Sequence, residues 1–309
     1  MPKRILITGA TGFVGSWTVR HFKAVRSGVE LWATSNEPAS ARLEVDEFVQ
    51  ADLFDNQAVQ SLVEKCRPDE VVHLAGLTGN IPLAELIRVN VIGTENLYNT
   101  LITNCDLDKL RIVQVSSAAT YGMIRSEELP ITEQQQPRPV SSYALSKLMQ
   151  DYLALSLWRR KGLGVIIARV FNILGPGQPD SLVPMTFIRQ LINTKDTDTE
   201  SFKVGNISSR RDFVDVRDVA SAFNILMSRG RPGEIYNVAS GEDISIEEVI
   251  EKLTQISKIQ VTIHKAAERM RAADVASVRA DISRIKIETG WEPKISLDDS
   301  LKAMWDNTE

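Results

Sequence analysis

Arg4-Ile5-Leu6-Ile7-Thr8-Gly9-Ala10-Thr11-Gly12-Phe13-Val14-Gly15 runs from a short β-branched apolar stretch through a glycine loop into a patterned helix. That order predicts a buried strand, a tight turn and a helix. Gly9 permits the turn, Gly12 lets backbone approach a pyrophosphate, and Gly15 lets helix and strand pack closely. The helix start around Thr11, Phe13 and Val14 then offers N–H groups and a positive dipole end to phosphates. The glycines are spaced G-x-x-G-x-x-G, not G-x-G-x-x-G. The plainer alternative is a glycine-rich turn with no ligand.

Outward from this loop, short apolar runs alternate with longer amphipathic ones. Arg4 to Thr8, Glu30 to Thr34, Glu70 to Leu74, Arg111 to Ser116 and Gly164 to Val170 predict strands without strict alternation, as expected when both faces are covered. Phe13 to Arg26, Asn56 to Cys66, Pro82 to Asn104 and Ser142 to Lys161 predict helices, with Pro82 in a first turn where its missing N–H costs nothing. The pattern is that of an α/β fold, a doubly wound parallel sheet of the Rossmann type. After Asn172 the turn-rich Gly175-Pro176-Gly177-Gln178-Pro179 breaks it. Helices are expected near Val183 to Asn193, Val216 to Ser228, Ile246 to Ser257 and Leu297 to Trp305. We expect a dinucleotide-binding domain over 1–171 and a smaller α/β C-terminal substrate domain over 172–309, with a segment near 212–238 returning to the main sheet.

The 309 residues are 25% charged and 43% hydrophobic, ordinary for a globular protein, and the net charge of −4 gives no reason to propose nucleic acid or an anionic membrane as partner. An anionic substrate would have to be met by local arginines. Cys66 and Cys105 show neither metal nor redox spacing, so reduced thiols and no metal site are expected. The N-terminus enters a strand at once and no apolar run approaches ~18 residues, which predicts a cytoplasmic location.

The second strand ends Ala33-Thr34-Ser35-Asn36. A carboxylate there would accept from a ribose 2′-hydroxyl and repel a 2′-phosphate. Its absence favours NADP(H), held by Ser35, Asn36 and Arg42; NAD(H) held through water is the alternative. Asp52-Leu53, after a third short strand, is placed at the adenine, with a helix cap as the plainer reading. His73-Leu74-Ala75-Gly76 ends the fourth strand, with Leu74, Ala75 and Gly76 beside the expected cofactor groove, while His73 reads as a buried structural histidine.

Tyr143 and Lys147 stand at i and i+4 on one helical face, downstream of a strand ending in Ser116 and Ser117. Free tyrosine, with a pKa near ~10, is too weak an acid to act as a phenolate base at neutral pH. An ammonium one turn away favours phenolate, and Ser117 can stabilise charge growing on a substrate oxygen. The three describe proton exchange with a carbonyl or carbinol beside a dinucleotide.

On these motifs the chain resembles the extended short-chain dehydrogenase/reductase family, in its nucleotide-sugar-modifying branch. The resemblance spans essentially the whole length. Beyond the glycine loop it rests on His73-Leu74-Ala75, Asn90-Val91-Ile92-Gly93-Thr94, Ser116 to Gly122, Tyr143 to Lys147 and Arg169 to Gln178. It implies catalysis by Ser117, Tyr143 and Lys147, the latter two also touching the cofactor together with Asn90. It implies a nucleotide-diphosphate sugar between the domains and a homodimer built from the Pro82 and Tyr143 helices.

The C-terminal stretches Arg210 to Ala220, Gly233 to Val238 and Thr289 to Pro293 look like the sugar-nucleotide half of that family. Arg271-Ala272-Ala273-Asp274 followed by Arg279-Ala280-Asp281 is similar to the GDP-4-keto-6-deoxy-mannose reductases, where Pro-Ser-Asp follows the first arginine. Thr78, Ser117, Asn172, Arg211 and Arg271 are the expected substrate contacts, the arginines because a guanidinium matches two phosphate oxygens. Surface ion pairing is the alternative for both. A 4,6-dehydratase needs an additional acid/base pair beside the serine, and Ala118 and Ala119 cannot move protons. What remains is hydride transfer at C4 of a nucleotide 4-keto-6-deoxy sugar; the alternatives are a C4 epimerase with retained NAD⁺ and a dinucleotide-sensing regulator without chemistry.

Overall fold

The computed structural model of the chain describes residues 2–39, 43–194, 201–265 and 276–308. Strand β1 (Lys3–Thr8) leads through the glycine loop into α1 (Phe13–Val25), followed by β2 (Val29–Ser35), β3 (Glu47–Gln50), α2 (Asn56–Cys66) and β4 (Glu70–His73). A helical stretch then contains α3 (Leu83–Leu86), a π-helical turn over Ile87–Ile92 and α4 (Gly93–Asn104). Next come β5 (Arg111–Ser117), α5 (Ser142–Lys161) and β6 (Val165–Val170). The remainder holds β7 (Asn172–Leu174), α6 (Val183–Thr194), β8 (Ser201–Val204), β9 (Arg210–Asp215), α7 (Val216–Arg229) and β10 (Ile235–Val238). It ends with β11 (Asp243–Ser245), α8 (Ile246–Ser257), β12 (Thr262–Lys265), β13 (Ser277–Val278), α9 (Ser283–Thr289) and α10 (Leu297–Asp306).

Among the described residues, seven strands make one parallel sheet in the order β10-β6-β5-β4-β1-β2-β3. Successive residues of a strand point to opposite faces, and both faces are covered. Ile5 and Ile7 enter a core with Val19 and Phe22 of α1 and Val219 and Phe223 of α7. Leu6 enters the opposite core with Leu62 of α2, Leu97 of α4 and Ala154 of α5. This two-sided burial explains the continuous apolar strands. The chain reverses its direction of winding between β1 and β4, so the loops after these two strands flank the crevice where such sheets take ligands.

The C-terminal elements build a separate core from Phe187 and Ile188 of α6, Val204 of β8, Val249 and Leu253 of α8, and Leu301 and Met304 of α10. Here β9 is flanked by β11 and β13 and also pairs with β7. Its Asp212 is wholly buried and accepts from Ser240 N (2.8 Å), Ser240 Oγ (2.6 Å), Gly241 N (3.0 Å) and Ala280 N (3.1 Å). One carboxylate thus ties β9 to the loop after β10 and to the segment after β13.

Two local expectations change. The stretch from Pro82 to Asn104 is not one uniform helix: Pro82 is the residue before α3, and the π turn interrupts the ladder. That wider turn carries Asn90, fully buried, with its amide bonded to Leu77 and Ser146. Both cysteines are free thiols, and burial pushes Cys105 up to about 11. Among the described residues no helix is long and apolar enough to cross a membrane.

Candidate active site

The glycine loop is set by close approaches. A Cβ at Gly15 would lie 2.1 Å from the Gly9 carbonyl oxygen, and one at Gly9, where φ is +65°, 2.8 Å from Ala75 N. Gly9 therefore abuts the backbone after β4 and joins both sides of the crevice. Gly12 differs: it is exposed, and its Cβ would meet Gly9 O at an ordinary 3.4 Å. It is also the N-cap of α1 and supplies no capping side chain, and no acid stands in the first turn. Asp55, Ser141, Asp215, Ser245 and Ser296 cap α2, α5, α7, α8 and α10 with their own oxygens. The first amides of α1, from Phe13, Val14 and Gly15, have no helical carbonyl to bond. An uncapped helix start behind a glycine lacking any side-chain obstruction fits a dinucleotide diphosphate.

At the end of β2, Ser35 Oγ and Thr11 Oγ1 share a 2.7 Å hydrogen bond, so the strand end and the glycine loop touch directly. Asn36 is exposed, and its carbonyl accepts from Gln50. Arg42 lies outside the described residues. Asp52 is exposed and Leu53 is buried beneath Gly93. The α2 cap is Asp55, while Asp52 Oδ1 accepts from Phe54 N at 2.9 Å within the preceding turn. Leu74 and Ala75 are half-buried and Gly76 exposed, in the loop beside Gly9. Asn90 spends its side chain inside the protein: its oxygen accepts from Leu77 N at 2.7 Å, and its nitrogen donates to Leu77 O at 3.1 Å and Ser146 Oγ at 3.0 Å.

Ser117, Tyr143 and Lys147 meet where β5 ends under the start of α5. Ser117 closes β5 with its Oγ accepting from Ala119 N at 3.2 Å, which starts a single tight turn over Ala118–Tyr121. Ser141 caps α5 by accepting from Ala144 N, fixing where Tyr143 emerges. Burial raises the Tyr143 phenol above its ordinary value, and the Ser117 hydroxyl beside it draws it partly back. Lys147 is only 7% exposed, and burial lowers its ammonium to about 8, opposed by the charge of Asp151. Its Nζ donates to the Val115 carbonyl at 2.6 Å and to Gln150 Oε1. Asp151 is fully buried one turn on, held by Ser116 Oγ (3.0 Å), Gln114 Nε2 (3.1 Å) and Arg169 Nε (3.2 Å). The Arg169 guanidinium lies over the Tyr121 ring at 4.8 Å. Asp151 and Gln150 escaped the sequence reading; the available signal was polar side chains at i+3 and i+4 from Lys147, on the same helical face.

Of the expected substrate contacts, Thr78 is exposed in the loop after β4. Asn172 and Arg211 stand on the adjacent strands β7 and β9, and Asn172 Nδ2 donates to the Asp212 carbonyl at 3.0 Å. Arg211 Nη1 donates to the neighbouring Arg210 carbonyl at 2.8 Å. Arg271 lies outside the described residues.

The family model described as GDP-mannose 4,6 dehydratase matches residues 6–304. The chain belongs to this family, within the extended short-chain dehydrogenase/reductases. It is 35% identical to the GDP-6-deoxy-D-mannose reductase of Pseudomonas aeruginosa, covering 100% of this chain and 98% of that one. It is 30% identical to the GDP-6-deoxy-D-talose 4-dehydrogenase of Aggregatibacter actinomycetemcomitans, over 91% and 90% of the two chains. The solved structure of RMD from Pseudomonas aeruginosa complexed with NADPH superposes with a TM-score of 0.86 at 33% identity, over 99% of this chain and 98% of that one.

Within this family fold, the two outer glycines of the loop and its middle one separate experimentally. Gly15→Ala should cost about 1–3 kcal/mol of stability, because its new methyl has no room. Gly12→Ala should leave the thermal midpoint within a degree or two, about the effect of an ordinary surface substitution. It should nonetheless weaken NADPH binding at least tenfold, about 1.4 kcal/mol, in a fluorescence titration. A Gly12→Ala protein that binds NADPH as tightly as the wild type contradicts the diphosphate assignment.

Proposed function

We propose that the protein is an NADP(H)-dependent reductase acting at C4 of a nucleotide-diphosphate 4-keto-6-deoxy sugar, with a GDP-linked hexose as substrate. The observation that carries this reading is the turn after β5. Ser117 is followed there by Ala118 and Ala119, whose methyl groups offer no acid or base. Loss of water across C5 and C6 needs such a pair, whereas reduction of a ketone needs one proton donor and one hydride. The names of the two relatives, both acting on GDP-6-deoxy sugars, support the substrate class. The NADPH in the solved relative and the lack of a carboxylate at Thr34, Ser35 and Asn36 support the cofactor.

When bound, NADPH supplies the hydride that adds to C4. Tyr143 supplies the proton that the C4 oxygen takes up as its double bond to carbon opens; the phenol O–H breaks and phenolate is left. Burial keeps this phenol protonated before the reaction, which is the form a reduction consumes. Ser117 orients and polarises the carbonyl oxygen. Lys147, four residues from Tyr143 on the same face, offsets the phenolate charge and reaches the ribose hydroxyls. Arg211, Arg271, Asn172 and Thr78 are the proposed contacts to the diphosphate sugar, and Ser35, Asn36 and Arg42 those to the 2′-phosphate.

Purified protein should oxidise NADPH when given GDP-4-keto-6-deoxy-mannose generated in situ, with NADH at least tenfold poorer in kcat/KM, a difference of about 1.4 kcal/mol. Tyr143→Phe should lower kcat by about 10²–10⁴-fold with NADPH binding retained. Equal rates for Tyr143→Phe and wild type would remove the tyrosine from the chemistry.

We also propose a homodimer through α4 and α5. Helix α5 buries Lys147, Gln150 and Asp151 against the sheet, yet leaves Tyr152 57% exposed and Leu145 37% exposed, with Ile92 exposed just before α4. Apolar groups facing outward on neighbouring helices fit an interface with a second copy. Light scattering should give twice the chain mass for the wild type and the chain mass for Tyr152→Glu. A monomeric wild type sinks the dimer.

A further inference from the structure

Behind the reacting pair lies a chain of buried polar side chains whose donors and acceptors admit one assignment. Thr8 Oγ1 accepts from both Leu74 N and Ala75 N at 3.1 Å. Its lone pairs are then used, so its own hydrogen goes to His73 Nδ1 at 2.8 Å. His73 is 1% exposed, and burial followed by the nearby Lys147 charge lowers it to about 3. It is therefore a neutral imidazole with its proton on Nε2, donating to Thr94 Oγ1 at 2.8 Å. Thr94 sends its hydroxyl hydrogen to the Asn90 carbonyl at 2.7 Å. It can then only accept from its remaining neighbour, the Gln150 amide, at 2.8 Å. That turns the Gln150 nitrogen toward Thr94 and its oxygen toward Lys147 Nζ, which donates to it. Thr8, Thr94 and Gln150 are each 0% exposed, so water cannot replace a missing partner.

We propose that Gln150 is a positioning residue for Lys147, fixing the direction of its ammonium through a buried hydrogen-bonded chain that ends on the glycine-loop strand. The inference rests on the assignment of Tyr143 and Lys147 as the reacting pair. An ammonium has three N–H bonds. The Val115 carbonyl on β5 and Gln150 on α5 take two, which leaves one for a bound hydroxyl. A glutamate at this position would turn a carboxylate oxygen toward a Thr94 oxygen that has no hydrogen to give, so the amide is the group that satisfies both neighbours. The far end of the chain holds the amides of Leu74 and Ala75, which line the crevice beside Gly9. The lysine and the floor of the cofactor groove are thus placed by one set of bonds.

The charged and titratable groups around Lys147 are Tyr143 and Asp151 on its own helix, His73 at the end of β4, and Arg169 of β6 acting through Asp151. The test is the pH profile of kcat/KM for NADPH-dependent reduction by wild type, Gln150→Leu and Gln150→Glu, with NADPH dissociation constants and thermal midpoints measured alongside. The wild-type profile should fall above about pH 8, as the Lys147 ammonium loses its proton. Removing an acceptor should move this limb down by about one unit in Gln150→Leu, with kcat about tenfold lower and NADPH bound several-fold more weakly. A carboxylate should move it up in Gln150→Glu, so the two variants depart in opposite directions. A Gln150→Leu protein with wild-type kcat, pH limb and NADPH affinity overturns the proposal, whatever its thermal midpoint. If that variant does not fold, an unmoved limb in Gln150→Glu overturns it equally. Should Tyr143→Phe prove as active as the wild type, the reacting pair itself falls, and the NADPH affinity of Gln150→Leu still decides whether Gln150 positions the lysine.

Discussion

The structure depends on burying one ammonium. Taking a charge out of water costs several kcal/mol even after the protein relaxes around it, unless partners replace the lost hydration. Lys147 sits between β5 and α5 with the Val115 carbonyl and Gln150 against its Nζ, and with the Asp151 carboxylate one helical turn away. Asp151 is itself buried and is offset by Arg169 from the next strand, whose guanidinium rests on Tyr121. The partners come from β5, β6 and α5, so the pairing of β5 with β6 beneath α5 brings Arg169 to Asp151.

The same arrangement gives α5 a mixed inner face. Beside its apolar Ala144, Leu148 and Ala154 it buries the polar Lys147, Gln150 and Asp151, while the apolar Leu145 and Tyr152 face outward. Across the crevice the glycine loop is built by contact. Gly15 and Gly9 leave no space for a side chain, and Thr11 reaches Ser35 at the end of β2. The strand leading into the glycine loop and Lys147 are then joined beneath the crevice by Thr8, His73, Thr94 and Gln150. Selectivity among the reactions of this family falls in part to the few groups beside the serine, where two alanine methyls offer no acid or base for a dehydration.

The parallel sheet and the Ser117, Tyr143 and Lys147 group were readable in the sequence because each is local. Buried strands show as β-branched runs, and Tyr143 and Lys147 share a face by helical spacing alone. Elements of two to four residues such as β7, β11 and β13 are too short to show a period, and they form only because β9 offers them a partner. The π turn at Asn90 depends on Leu77 and Ser146, which come from other segments. Gln150 and Asp151 look like the solvent face of a helix until β5 is laid beside them. Asn172, singled out in the sequence as a ligand contact, also ties β7 to β9 by donating one amide hydrogen to the Asp212 carbonyl. Arg42 and Arg271 lie outside the described residues, so their proposed roles stand on sequence.

The central claim is that hydride passes to C4 of the sugar and stays there. The most direct measurement supplies NADPH carrying deuterium at the transferable position of its nicotinamide, together with the 4-keto-6-deoxy sugar nucleotide, and locates the label in the isolated product by NMR. The account predicts one deuterium on C4 of a 6-deoxyhexose, with one NADP⁺ formed for each. A sugar product without deuterium, or sugars interconverted at C4 with the cofactor returned unchanged, would contradict it.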